Sequence, residues 1–365
     1  MKKYLLVTSF FLLASCSPQH AQSIEDIRQY THGISIINNS VIWSEKSDEQ
    51  RKNGWTHDIY KKEIEQSQIE PLVENPEAQE PASASSTKET IIITYEDGFD
   101  TKNSISQRFR IYDYNWQELY EATLFDGGHS GHVASTNTQH VIFWSNRWIN
   151  GGGIDELGTG KEVIVSTISN EGELLHEIKI SQADDRDSWP ILAASDDNAL
   201  LIWQHFNDKA TKAALYFAVY NPATNELTQA PAELLSQVDF YMYSVSYVEA
   251  TKQYVVAAQT NEGGTLILLS KDGEIIDQID APDLVREATP AIQENILAFP
   301  QMPSGYFTVH VLNNQLQLQP SNILDIEWGT TGTAGIFLDA ENMYFGTLNK
   351  EGLQEVFVEI DEEEQ

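Results

Sequence analysis

The chain has 365 residues, with 55 Asp and Glu against 22 Lys and Arg and a formal charge of −33. That balance excludes nucleic acid as a partner, because phosphate binding needs a basic surface, and it excludes electrostatic docking on anionic lipid headgroups. It favours a soluble monomer with cationic or neutral ligands, and a single cysteine leaves no disulfide to staple the fold.

Met1, Lys2 and Lys3 precede an apolar run over 4–14, which reads as a secretory signal over 1–15. About eleven apolar residues fall short of the roughly 20 that a spanning helix needs. Leu13-Ala14-Ser15-Cys16 resembles the bacterial lipobox. The resemblance implies that the signal is removed and that the Cys16 thiol carries a diacylglycerol group, with palmitate among the acyl chains. Each buried CH2 contributes about 0.8 kcal/mol, so several such chains hold a protein on a membrane. Ser17, rather than Asp, after the acylated position implies passage to the outer membrane of a Gram-negative bacterium. Residues 16–23 then form the lipidated cysteine and a short polar tether.

Short apolar runs that end in aromatic or small residues recur down the rest of the chain: Val41-Ile42-Trp43, Ile91-Ile92-Ile93-Thr94-Tyr95, Val141-Ile142-Phe143-Trp144, Leu200-Leu201-Ile202-Trp203, Tyr254-Val255-Val256-Ala257-Ala258, Ile296-Leu297-Ala298-Phe299 and Met343-Tyr344-Phe345. Their mean spacing is about 50 residues, so seven units fill 24–360. Each run is too short for a helix, and a second alternating run follows it, over 58–63, 108–114, 162–168, 215–220, 265–269, 306–312 and 355–360. Turn signals such as Asn170-Glu171-Gly172 and Lys271-Asp272-Gly273 punctuate them. The pattern predicts an all-β fold: one seven-bladed β-propeller of four-stranded blades over 24–360. The last unit shows three strands before the acidic tail 361–365, so residues 24–31 are expected to supply its outer strand and close the ring. The Pro-, Ala- and Ser-rich stretch 78–87 is the weakest strand signal. Trp43, Tyr95, Trp144 and Trp203 hold equivalent places in the repeat and are expected in the core between blades.

Candidate site residues lie in the loops. The longest, 146–161, carries Trp148 and Asp155 among five glycines, which permit close approach of backbone to a ligand. The plainer and preferred reading is an ordered lid packed by Trp148 and Leu157; the acidic surroundings and the lack of a following helix exclude a phosphate loop. Segments before the inner strands carry His129, His132, Asp187, Trp189, Tyr241, Tyr243, Arg286, Glu287, Glu327 and Trp328. In a propeller such positions converge on one mouth of the channel, where rings beside carboxylates and an arginine suit a glycan or peptide. The plainer use of the same residues is to satisfy loop backbone groups and neighbouring blades.

No cofactor is expected. His129, His132 and His140 lack a third ligand at a zinc spacing, and Asp184-Asp185-Arg186-Asp187 and Asp196-Asp197 could hold structural calcium but match no calcium loop. Gly-x-Ser-x-Gly, sialidase aspartate boxes and Trp-Asp repeats do not occur. The sequence therefore points to an envelope lipoprotein that binds a protein or glycan without catalysis, similar in layout to the propeller scaffolds of outer-membrane protein assembly. The alternative is a carbohydrate-active hydrolase or lyase with Asp155, Asp187 or Glu327 as acid and base and Trp148, Trp189 or Trp328 as platforms.

Overall fold

The computed structural model describes residues 33–45, 57–76, 78–98, 105–146, 161–182, 185–207, 213–319, 322–329, 332–349 and 352–360. The expected signal peptide, Cys16, the tether, the ring-closing segment 24–31, Trp148, Asp155 and the acidic tail lie outside them.

Blade one is β1 (Ile34–Ile37), β2 (Ser40–Glu45), β3 (Asp58–Glu63) and β4 (Ile69–Val73). Blade two is β5 (Gln79–Ser86), β6 (Ile91–Asp97), β7 (Ser106–Tyr112) and β8 (Glu118–Asp126). Blade three is β9 (His129–Ser135), β10 (His140–Asn146), β11 (Glu162–Ile168) and β12 (Leu174–Lys179). Blade four is β13 (Asp187–Ala194), β14 (Ala199–Phe206), β15 (Ala213–Asn221) and β16 (Glu226–Val238). Blade five is β17 (Tyr243–Val248), β18 (Gln253–Thr260), β19 (Gly263–Ser270) and β20 (Ile275–Ala281). The chain then gives a two-residue strand, β21 (Ala288–Thr289), before blade six: β22 (Ala291–Gln293), β23 (Ile296–Pro300), β24 (Tyr306–Leu312) and β25 (Gln315–Leu318). Blade seven is β26 (Thr333–Phe337), β27 (Asn342–Asn349) and β28 (Gly352–Glu359), with β21 paired in parallel against the inner side of β26. The chain is thus an all-β propeller of seven four-stranded sheets, without a helix among the described residues.

The second strand of each blade is covered on both faces, which is why it reads as a continuous apolar run rather than an alternation. Outer strands such as β8 and β12 show water one face and carry the charge. Among the described residues the core is divided between the blades. Seven apolar clusters lie one at each junction of neighbouring blades, and the last joins Ile34, Val41 and Trp43 of blade one to Ala334, Tyr344 and Leu348 of blade seven. Trp43, Tyr95, Trp144 and Trp203 are buried in these clusters, as their repeat position predicts. The Pro-rich stretch forms β5, with a register shift between Glu80 and Ser83 where Pro81 cannot donate to the ladder.

Polar clasps complement the apolar junctions. Apart from β26, which β21 covers in part, the inner strands leave N–H groups with no ladder partner on the channel side, and buried N–H groups need acceptors. Ser35 Oγ accepts from Ala84 N at 3.1 Å and Ser83 Oγ from Val133 N at 3.1 Å, each one blade ahead. Glutamines do the same at the strand starts, Gln107 and Gln204 buried and Gln259 half-buried: Gln107 accepts from Gly131 N at 2.9 Å, Gln204 from Tyr241 N at 3.1 Å and Gln259 from Leu284 N at 3.1 Å.

Candidate functional site

The starts of the inner strands meet at one mouth of the channel, and their backbone is unusual there. Ser130, Trp189, Tyr241 and Glu287, in four consecutive channel-entering segments, have φ of 54°, 57°, 58° and 51°. Left-handed backbone is uncommon outside glycine, and for bulky rings such as Trp189 and Tyr241 it stores strain of about 1–3 kcal/mol each. At Ser130 and Trp189 it coincides with register shifts against β10 and β14, where a bulge bends the strand.

The rings turned inward by this geometry pack on one another. Trp189 meets Tyr241 edge-on at 4.6 Å and Phe240 at 5.3 Å. The Tyr243 hydroxyl donates to the Trp189 carbonyl. Arg286 caps the group, with its guanidinium carbon 5.4 Å from the Tyr241 ring centre and 5.6 Å from that of Phe240. Its Nε lies 3.3 Å from Glu287 Oε1. Burial first, and the charge of Glu287 second, push both tyrosine phenols well above their ordinary range; Glu96 of blade two also acts on Tyr241. Glu96 in turn accepts from Ser130 N, so one carboxylate links blades two and three to the aromatic group of blades four and five. The phenols stay neutral, and with the Arg286 guanidinium and the side chains of Glu96 and Glu287 they form an arrangement for orientation and hydrogen bonding.

Other residues singled out from the sequence stand outside this aromatic group. Asp187 is buried at the start of β13, accepting from Ser181 Oγ at 2.5 Å and facing His205 Nδ1 at 2.7 Å. Trp328 is buried between blades six and seven, edge-on to Phe345, with its Nε1 donating to the Gly305 carbonyl at 3.0 Å. Glu327 beside it is exposed. His129 is buried with Nδ1 2.8 Å from Ser130 Oγ, and desolvation pushes it down to about 3, so it is neutral. His132 Nδ1 lies 3.2 Å from Ser130 O. His140 is at the far end of the same hairpin, opposite Ser135. The three histidines therefore do not share a centre, and among the described residues no group of three His, Cys, Asp or Glu could hold a metal ion. Glu96, Phe240 and His205 joined the picture only in three dimensions. The sequence hint for Glu96 is its place at the end of the buried run of β6, where a charge needs a partner.

No protein-family model matches the sequence, and no curated protein matches it either. Solved structures do resemble the fold. A chain of the crystal structure of a mitotic checkpoint complex aligns over 99% of this chain and 100% of its own, at TM-score 0.57 and 11% identity. A Hadza microbial sialidase aligns over 83% of this chain and 73% of its own, at TM-score 0.48 and 9% identity. The subtype N10 neuraminidase-like protein of A/little yellow-shouldered bat/Guatemala aligns over 77% and 94%, at 0.47 and 9%. At such identities the likeness to the first is one of fold: the protein is a β-propeller.

Proposed function

We propose that this chain is a cell-envelope lipoprotein whose propeller is a non-enzymatic binding module, taking a protein or glycan ligand on Arg286 and Glu287 at the mouth, where the buried rings of Trp189 and Tyr241 back them. The observation that carries the reading is the run of left-handed residues at four consecutive strand starts, because backbone strain persists where the surroundings hold it for a purpose, and here it gathers rings, an arginine and carboxylates. Anchoring through Cys16 in the outer membrane rests on the lipobox resemblance alone. A carbohydrate-active enzyme is the second reading, favoured by the buried Asp187 that orients His205. Against it, the Trp189 and Trp328 rings are packed inside the protein rather than offered as sugar platforms.

A glycan and peptide binding screen on the Cys16→Ala chain, released from its anchor, tests the module. Arg286→Ala should abolish the strongest signal and Asp187→Asn should leave it. Binding untouched by Arg286→Ala removes the mouth from the function. Cleavage of a bound glycan that Asp187→Asn stops would establish the enzyme instead. Radiolabelled palmitate should mark the wild type and not Cys16→Ala; labelling of the variant would end the lipoprotein reading.

A further inference from the structure

At the opposite end of the inner strands from the mouth, the first hairpins of blades two to five border an open cavity of about 180 Å³, room for roughly six waters. Nine of its ten lining side chains are polar, among them the hydroxyls of Thr87, Ser135, Thr136 and Ser195 and the carboxylates of Asp196 and Glu249. What such a cavity selects depends on where the hydroxyl hydrogens point.

The hydrogens can be followed by counting. Asn170 Nδ2 donates to Glu89 Oε2 at 3.1 Å, which leaves Asn170 Oδ1 facing Thr87 Oγ1 at 2.8 Å and Thr90 Oγ1 at 2.9 Å. Both threonines must donate to it, since lone pairs would otherwise face one another at contact distance. Thr90 Oγ1 is then an acceptor for His140 Nε2, 2.9 Å away. His140 is buried and neutral, pushed down to about 3 by desolvation, and carries one ring hydrogen. With that hydrogen on Nε2, Nδ1 is an acceptor and takes the hydrogen of Ser135 Oγ at 2.7 Å. Ser135 thus faces the cavity with lone pairs only. Thr136 donates to the Gln139 carbonyl at 3.2 Å, and Ser195 to the Asn198 carbonyl at 3.1 Å or to Asp197 Oδ1 at 3.2 Å. Asn137 turns its amide donor to Asp196 Oδ1 at 2.6 Å.

Four wall hydroxyls have therefore given their hydrogens away, and Asp196 and Glu249 add carboxylates. Lys252 reaches both acids, lying 3.6 Å from Asp196 Oδ2 and bonding Glu249; all three side chains are more than half exposed and the lysine stands outside the wall, so a ligand ammonium competes with it for the two carboxylates. Lys88 is the one cation on the wall and sits on an exposed turn. We propose that this cavity is a binding site for a small organic ammonium ion, its N–H groups donating to Ser135 Oγ and to the Asp196 and Glu249 carboxylates. The overall charge of −33 raises the local concentration of such cations.

Putrescine is the probe and butane-1,4-diol its neutral counterpart of similar shape. Titration calorimetry of the full chain should give saturable one-to-one binding of putrescine and none of the diol. Ser135→Ala and Asp196→Asn should each weaken it about tenfold, the worth of one charge-assisted hydrogen bond. Glu249→Gln, on an exposed turn, reads the same site should Ser135→Ala fail to fold. Asp280→Asn, on the exposed outer strand of blade five, should change nothing. Equal binding of the diol overturns the proposal. Equal weakening by Asp280→Asn, or displacement of putrescine by equimolar potassium, shows general attraction to an acidic protein and overturns it too.

Discussion

His205 Nδ1 lies 2.7 Å from Asp187 Oδ1, and the carboxylate is buried while the imidazole is half-buried. The hydrogen bond to Asp187 is the largest influence raising the His205 pKa, ahead of the opposing burial, with Asp185 and Glu233 adding to it. A histidine whose folded pKa is raised contributes stability that is complete below its unfolded value, about 6.5, and is lost as pH rises through the folded value. Asp187→Asn should lower the His205 midpoint in a proton NMR titration. The stability difference between the two proteins in urea should be largest in acid and shrink toward alkaline pH. An unmoved midpoint would contradict the pairing.

His129 and His140 behave in the opposite sense. Burial pushes both down to about 3, so each is neutral when folded and takes a proton only when the chain opens. Stability from them is complete above about 6.5 and falls as pH drops toward 3. In the same NMR titration their ring signals should stay flat between pH 5 and 8 while that of His205 moves. Titration of either near 6.5 would mean that the hairpin of β9 and β10 opens to water.

Gly131 and Gln107 form the tightest of the polar clasps. The Gln107 amide donates to Thr94 Oγ1 at 2.7 Å and to the Tyr95 carbonyl at 3.1 Å while accepting from Gly131 N. A Cβ on Gly131 would stand 2.3 Å from Gln107 Cδ, and that side chain has no freedom to withdraw. Gly131→Ala should cost about 1–3 kcal/mol, and so should Gln107→Leu, which strands a buried N–H. Because both act on one contact, the double variant should lose less than the sum of the two in thermal unfolding. Full additivity would show that the clasp does not couple the blades.

The repeat was legible because burial on both faces writes one message seven times, as in Ile91–Tyr95 and Leu200–Trp203, and the turns between strands use recognisable residues. The mouth was legible only in part. Trp189, Tyr243 and Arg286 were placed there by position in the repeat, but an aromatic in a connecting loop reads alike as ligand platform or as filling, and packing decided for Trp328. His140 was read with His129 and His132 because they are near in sequence, whereas an antiparallel hairpin sends its two ends apart. Glu96 acts on Tyr241 across three blades, a relation no local pattern encodes. The proton order that fixes Ser135 runs through Asn170, in a different hairpin, and is equally invisible along the chain.

Blade seven supplies the last test. In blades one to six the third strand is covered by an outer strand, but β28 pairs only with β27 among the described residues, and Phe357 on it is 54% exposed. Blades one and seven are joined nearby through Ile34 against Tyr344 and through the ion pair of Lys62 with Glu355. An unpaired edge of this kind invites a strand. The outer strand β8 ends at Asp126 and the next inner strand begins at His129, so a connection of two residues suffices; a strand ending at residue 31 would leave the same two before Ile34. Deleting 24–31 should therefore lower the unfolding temperature by several degrees, on the scale expected when a few kcal/mol are lost from a domain of this size. Deleting 17–23, the expected tether, should leave it within about a degree. Equal temperatures for the two deletions would mean that blade seven closes on blade one without a strand from the N-terminal segment.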